Sequence, residues 1–264
     1  MKKYIVIGNP IEHSLSPKLH NHWIKENNID GIYEKKQLSE NEIKDIISKV
    51  RDDKVAGINV TIPFKKTVIP FLDQITELAK EAQSVNTIFK KDNKVIGDNT
   101  DVDGFKQSLK HINYNTKDKK IFILGAGGVV PSIIIALKKS GVKKITLSNR
   151  TKEKAEDLKK IYSDLEIIDW GKTADFNMII NATSLGLKTT DQIKLDYASI
   201  GPNKLFYDVI YNPQKTNFLI KAKEFGNQIE NGKMMFIYQA QLAFKIWHNI
   251  LPKVHNKLLE EWSD

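Results

Sequence analysis

The sequence predicts an α/β protein of two domains, and three observations carry that expectation. Short runs of β-type residues alternate with helical patterns along the whole chain, as parallel sheets covered by helices require. Midway, a strand runs straight into a glycine turn and a helix at Ile121-Phe122-Ile123-Leu124-Gly125-Ala126-Gly127-Gly128. The 264 residues, 41% of them hydrophobic, suffice for one large core or two smaller ones.

In chain order the expected strands are 4–7, 32–38, 57–62, 87–89 with 95–99, 120–124, 144–148, 166–169, 178–181, 205–209 and 228–230. Lys91-Asp92-Asn93-Lys94 reads as a hairpin turn between two of them, because Asp and Asn tolerate turn backbones. The stretch 113–119 is polar and without apolar period, so it is expected to lead from one domain into the next. A helix is expected from Val129 to Ser140, closed by Gly141, with Pro131 in its first turn where a missing N–H costs little. The last helix, over 233–250, places Phe236, Ala240, Ala243, Trp247 and Ile250 on one stripe, and Pro252 limits it. The sequence shows no internal repeat and no low-complexity tract.

Composition narrows the function. The net charge of +9 comes from 41 basic against 32 acidic residues, and only Arg51 and Arg150 are arginine. The lysines are scattered among glutamates and aspartates, which describes a solvated surface and not a nucleic-acid face. With no cysteine, disulfides and thiolate chemistry are excluded, and no metal site is expected. The first apolar run stops at Gly8-Asn9-Pro10, too short for a signal peptide, and no later run could span a bilayer. The expectation is a cytoplasmic protein without a membrane partner.

Two local patterns carry chemistry. In Asn59-Val60-Thr61-Ile62-Pro63-Phe64-Lys65, residues two apart in an extended chain share a side, so Asn59 and Thr61 face one way. Pro63 stops the strand and delivers Lys65 nearby, which reads as a small-molecule site, although Lys65 alone matches any surface lysine. The second pattern is the glycine turn, where backbone N–H groups at a helix start can hold a pyrophosphate. It departs from G-x-G-x-x-G, since the third glycine position is Val130. After the next strand, an NAD-binding fold carries an acidic residue for the ribose hydroxyl. Here the chain has Asn149-Arg150-Thr151, with Lys154 one turn on, so a 2′-phosphate and therefore NADP is the expected guest.

Eight motifs in order carry a family resemblance: 13–17 (HSLSP), 59–65 (NVTIPFK), 85–87 (VNT), 97–101 (GDNTD), 125–128 (GAGG), 149–151 (NRT), 181–184 (NATS) and Gln239-Ala240. On these residues the chain resembles the shikimate dehydrogenases over nearly its whole length. The resemblance implies NADP-linked reduction of 3-dehydroshikimate to shikimate, on the route to chorismate and the aromatic amino acids. It implies a substrate domain over 1–101 and 233–264, completed by the C-terminal helices, and a Rossmann-type NADP(H)-binding domain over 102–232, with a cleft between them. Lys65 and Asp101 resemble the family's catalytic pair, either of them a candidate for the proton exchange. Ser14, Ser16, Asn59, Thr61, Asn86, Tyr211 and Gln239 resemble its other substrate contacts. Gly125, Ala126, Gly127, Gly128, Val129, Asn149, Arg150, Thr151, Lys154, Asn181, Thr183, Ser184, Val209 and Gly232 resemble its cofactor contacts. The implied partner is the small-molecule substrate alone, and the chain is expected as a monomer or homodimer. Val102 and Ser84 depart from the family pattern beside the site, and Lys154 replaces a frequent arginine. Two alternatives stay open, an NAD-linked quinate or shikimate dehydrogenase and a non-catalytic nucleotide-sensing paralogue.

Overall fold

The computed structural model describes residues 1–255 of the 264, so 256–264 of the expected first domain lie outside the described residues. The chain divides into two compact units, Met1–Gly104 with Ile237 onward, and Phe105–Phe236.

The first unit runs β1 (Lys2–Gly8), α1 (Ser16–Glu26), β2 (Gly31–Gln37), α2 (Ile43–Arg51), β3 (Gly57–Val60), β4 (Gln74–Ile75), α3 (Glu77–Ala82), β5 (Thr87–Lys91), β6 (Lys94–Asp98) and the start of α4 (Asp101–His111). Its sheet has the order β2-β1-β3-β5-β6-β4. The pairs of β1 with β2 and β3, and of β4 with β6, are parallel, whereas β5 runs antiparallel to β3 and β6. Asp92 and Asn93, with φ of +50° and +58°, make the turn that joins β5 to β6.

Alternation along the strands sorts the two faces. Ile5, Ile7, Ile58 and Val60 enter a core with Ile43, Ile46, Ile47 and Val50 of α2. Tyr4 instead meets Trp247 and His248, while Tyr33 meets His20 and Trp247, which makes an aromatic layer with α1. Gly57 makes that layer possible, since a Cβ there would stand 2.3 Å from the Trp247 indole nitrogen. That nitrogen donates to the Ile88 carbonyl at 3.1 Å.

The second unit continues from α4 through β7 (Lys120–Leu124), α5 (Val130–Lys139), β8 (Lys144–Ser148), α6 (Lys152–Ile161), β9 (Glu166–Ile167), β10 (Met178–Asn181), α7 (Tyr197–Ile200), β11 (Leu205–Asp208), α8 (Asn217–Glu224), β12 (Gln228–Glu230) and the first turn of α9 (Lys233–His248). Its sheet, in the order β12-β11-β10-β7-β8-β9, is parallel throughout. After β9 the chain returns to the other side of β7, the reversal that marks ligand sites in doubly wound folds. Phe122, Phe176, Ile179, Phe206 and Phe218 anchor a core on one face. Gly141, at φ +73°, ends the α5 turn in the left-handed region where glycine is at ease.

One expectation is corrected. The polar stretch 113–119 does not carry the chain between units; it lies inside the second, and the division falls within α4 and α9. The reason is burial: Val102, Phe105 and Leu109 form one buried stripe on α4, which keeps it a continuous helix past Gly104.

Candidate active site

In the first unit, the ends of β3, β5 and β6 lie in register, with Asn59 opposite Thr87 and Thr87 opposite Asp98. The chain leaves β3 at Val60, and the Thr61–Phe64 turn, closed by the Phe64 N–H on the Thr61 carbonyl at 3.0 Å, returns Lys65 toward β6. There Lys65 Nζ donates to Asp101 Oδ2 at 2.5 Å, with side chains only 10% and 7% exposed. Asp101 sits there because it opens α4, with only Asn99 and Thr100 between it and the β6 end. Breaking such a buried pair from one side costs roughly 3–5 kcal/mol, because the other charge is left without a counterion.

Asn86 wires this pair into the sheet. Its Nδ2 donates to Asp101 Oδ1 at 2.9 Å, to Thr100 Oγ1 at 2.9 Å and to Gln239 Oε1 at 3.4 Å. Its Oδ1 accepts from the Thr100 N–H at 2.8 Å and from Thr87 Oγ1 at 3.1 Å. Gln239 on α9 comes this near because Gly104 has no side chain, where a Cβ would stand 2.8 Å from that of Gln239. Asn59 is more fully engaged than its pattern suggested. Its Nδ2 donates to the Asn86 carbonyl at 3.1 Å and to Thr87 Oγ1 at 3.2 Å, while its Oδ1 accepts from the Tyr33 hydroxyl at 2.7 Å. Burial pushes the Tyr33 hydroxyl well above its ordinary pKa, so it stays a donor, and Ser16 hydrogen-bonds it in turn.

Ser16, Tyr33, Asn59, Thr87, Asn86, Asp101 and Lys65 thus form one hydrogen-bonded series. The Ser14 hydroxyl accepts from the Ser16 N–H at 3.4 Å, so Ser14 shapes the turn into α1 while keeping its own proton to donate. Thr61 is half-buried, and among the described residues its hydroxyl has no hydrogen-bond partner. Tyr211 belongs to the second unit, where its ring stacks on Phe236 at 4.6 Å between centroids. The sequence reading did not single out Tyr33, Thr87 or Thr100 as site residues. The two threonines were visible inside the motifs at 85–87 and 97–101, whereas nothing in one sequence marks Tyr33. Val102 is fully buried in the α4 stripe, and Ser84 is buried with its carbonyl accepting from Asn99 Nδ2 at 2.8 Å.

In the second unit, Gly125 has φ +108° and a Cβ there would stand 2.7 Å from the Ala182 carbonyl oxygen, a position for glycine alone. Gly127 is exposed, and Ala126, Gly128 and Val129 are half-buried, as they lead into α5. The first turn of α5 carries no acidic residue and Val129 provides no side-chain cap; the Val130 N–H donates to the Gly127 carbonyl at 3.0 Å, which closes the glycine turn onto the helix start. Asn149 Nδ2 donates to the Thr151 carbonyl at 2.6 Å and so folds the turn that presents Arg150. Arg150 and Lys154 are exposed and, among the described residues, make no ion pair. Thr151 stands at the start of α6 without a side-chain cap bond. No carboxylate occupies the end of β8, which is followed by Asn149.

Across the reversal, Asn181 is fully buried and its Oδ1 accepts from the Thr183 N–H at 3.1 Å and Oγ1 at 2.7 Å, which shapes the turn that exposes Ser184. Val209 N–H donates to the Asn181 carbonyl at 3.0 Å, and a Cβ on Gly232 would stand 2.1 Å from the Val209 carbonyl oxygen. Among the described residues no group of three or more His, Asp or Glu side chains could hold a metal ion, and no helix is long and apolar enough to cross a membrane.

Comparison with known proteins falls on the same two halves. Residues 6–88 match the family model of the shikimate dehydrogenase substrate binding domain, and 107–190 match that of shikimate / quinate 5-dehydrogenase. A shikimate dehydrogenase (NADP(+)) of Pelagibacter ubique is 60% identical over 98% of this chain and 97% of its own. The crystal structure of shikimate dehydrogenase from Aquifex aeolicus superposes with a TM-score of 0.91 at 38% identity, covering 99% of this chain and 97% of that one. A Thermus thermophilus shikimate 5-dehydrogenase solved with NADP(H) and shikimate gives a TM-score of 0.89 at 29% identity, over 100% and 98% of the two chains. Fold, motifs and full-length identity agree, and the chain belongs to the shikimate dehydrogenase family.

Proposed function

We propose that this chain is an NADP-dependent shikimate dehydrogenase, reducing the ketone of 3-dehydroshikimate to the alcohol of shikimate and running the reverse oxidation. The observation that carries the reading is the buried Lys65–Asp101 pair, 2.5 Å apart and braced by Asn86, on the unit that matches a substrate binding domain. When bound, NADPH supplies the hydride; the remaining work falls to the chain's own side chains. As the carbonyl carbon receives hydride, its oxygen gains negative charge, which the Lys65 ammonium stabilises and then protonates. In the reverse direction the neutral amine takes the alcohol proton. Asp101 orients Lys65, and Asn86 holds Asp101 so that its second oxygen stays engaged.

The remaining contacts suit a cyclic acid with several hydroxyls. Ser14 offers its hydroxyl proton to the carboxylate and Ser16 joins it by turning its proton from the Tyr33 hydroxyl, while Thr61, Asn86 and Gln239 offer donors and acceptors to the ring hydroxyls. Asn59 takes part by holding the Asn86 strand in place. Gly125 to Val129 receive the pyrophosphate and Arg150, with Thr151 and Lys154, the 2′-phosphate; Asn149, Asn181, Thr183, Ser184, Val209 and Gly232 shape the rest of the cofactor site. Residues 1–101 with 233–264 serve as the substrate domain and 102–232 as the cofactor domain. A cytoplasmic location and a monomeric or homodimeric state belong to the same proposal.

The test is a spectrophotometric assay of reduced cofactor formation with shikimate and quinate, each against NADP+ and NAD+. Shikimate with NADP+ is expected to be the fastest pair. Turnover of quinate with NAD+ at an equal rate would favour the NAD-linked alternative, and no turnover of any pair would leave the non-catalytic paralogue.

A further inference from the structure

Asp208 ends β11 and is fully buried in the second unit, yet among the described residues no cation pairs with it. Three neutral donors hold it. Oδ1 accepts from Asn181 Nδ2 and from the Ile210 N–H, both at 3.0 Å, and Oδ2 accepts from Thr216 Oγ1 at 2.6 Å. A carboxylate in such a place is costly to keep, and burial pushes its pKa up to about 6. An apolar residue would fill the space at lower cost, so the explanation must lie in what the carboxylate holds.

It holds the ends of three strands. Asn181, at the β10 end, uses the same Nδ2 to donate to the Leu185 carbonyl at 2.9 Å and its Oδ1 to fix Thr183. Ile210, whose N–H reaches Asp208, accepts at its carbonyl from the Gly232 N–H at 3.1 Å, after β12. Thr216 begins α8 and packs against Gly186, whose Cβ would stand 2.9 Å from the Thr216 methyl. Removing Asp208 therefore loosens 181–186, 209–216 and 232 together. The glycine turn and Arg150 sit on the other side of the reversal, at β7 and β8, where the adenosine 2′-phosphate and pyrophosphate would lie. The nicotinamide end is left to the loops after β10, β11 and β12.

We propose that Asp208 is a positioning residue, which through Asn181, Ile210 and Thr216 sets the loops that receive the nicotinamide end of NADP. This rests on the NADP reading above. The test titrates the full chain with NADP+ and with adenosine 2′,5′-bisphosphate, which carries the phosphate end without the nicotinamide. Asp208→Ala is expected to weaken NADP+ binding roughly tenfold and the bisphosphate less than about twofold. Asp208→Asn keeps an oxygen for two donors and an amide for Thr216, so it should restore NADP+ to within about threefold of the parent. Should Asp208→Ala fail to fold, Thr216→Val carries the test, with a several-fold loss for NADP+ alone. Equal weakening of both ligands, unchanged NADP+ binding, or an Asn variant as weak as the Ala variant overturns the proposal. A parent chain that binds neither ligand refutes the NADP reading itself, a different outcome from any of these.

Discussion

Replacing Lys65 with alanine removes the ammonium that donates to Asp101, and kcat should fall by about 10²–10⁴-fold while KM for shikimate moves far less. A near-normal kcat with the far-ultraviolet spectrum intact would remove Lys65 from the chemistry. Arg150→Ala should weaken NADP+ by about 1.5–3 kcal/mol and leave NAD+ nearly unchanged, measured by titration of each cofactor. His20 makes a different kind of prediction. Burial, with the charge of His248 second, holds its pKa down to about 3 from 6.5, and among the described residues neither ring nitrogen has a hydrogen-bond partner. Below the unfolded value the unfolded chain binds a proton that the native ring refuses, so stability is present above it and falls as pH falls through that window. His248, lowered to about 4, acts in the same direction. His20→Phe keeps the stacking on Tyr33 at 4.2 Å and should lose less urea resistance than the parent between about pH 7 and about pH 4.5. An identical loss in both chains would refute this account.

Among elements, the approach of α4 to α9 is exposed to a single atom at Gly104. Gly104→Ala places a Cβ 2.9 Å from the Gln239 backbone nitrogen, which side-chain rotation cannot relieve, and should cost about 1–3 kcal/mol of stability. The same shift moves Gln239 from Asn86, so KM for shikimate should rise with it; a variant with parental KM and melting temperature would show that the helices adjust freely. Elements with a strong local signal were legible in the sequence: β7, β8 and β10 fall where their apolar runs place them, and the Asp92-Asn93 turn adopts the backbone its residues favour. β4 is two residues long, too short for any period to register, and β9 stops after Ile167. The stretch 113–119 misled because polarity marks exposure, not passage between units. The candidate site was legible as residue types within motifs, and its wiring was not. That Asn59 spends its amide on Thr87 and Tyr33 depends on strand register, which sets Asn59 opposite Thr87, and on strand order, which puts Tyr33 two strands away across β1.

At the scale of the whole molecule, each unit has its own core. NADP+ binding to the second unit should therefore raise one calorimetric transition more than the other, by about 2.7 kcal/mol at a concentration a hundred times Kd. A uniform shift of a single transition would show that the units unfold as one. The net charge of +9 is dispersed, since Lys3, Lys120, Lys138, Lys144 and Lys152 each pair with a surface carboxylate. The aromatic layer of the first unit joins Tyr4, His20 and Tyr33 to Trp247, parts of the chain separated by the entire second unit. On a ribosome adding about 5–20 residues per second, those early side chains wait on the order of ten seconds or more for their cover. The second unit can close while they wait, so the half of the protein made first is the half completed last, and its bare sheet face is what a chaperone would meet.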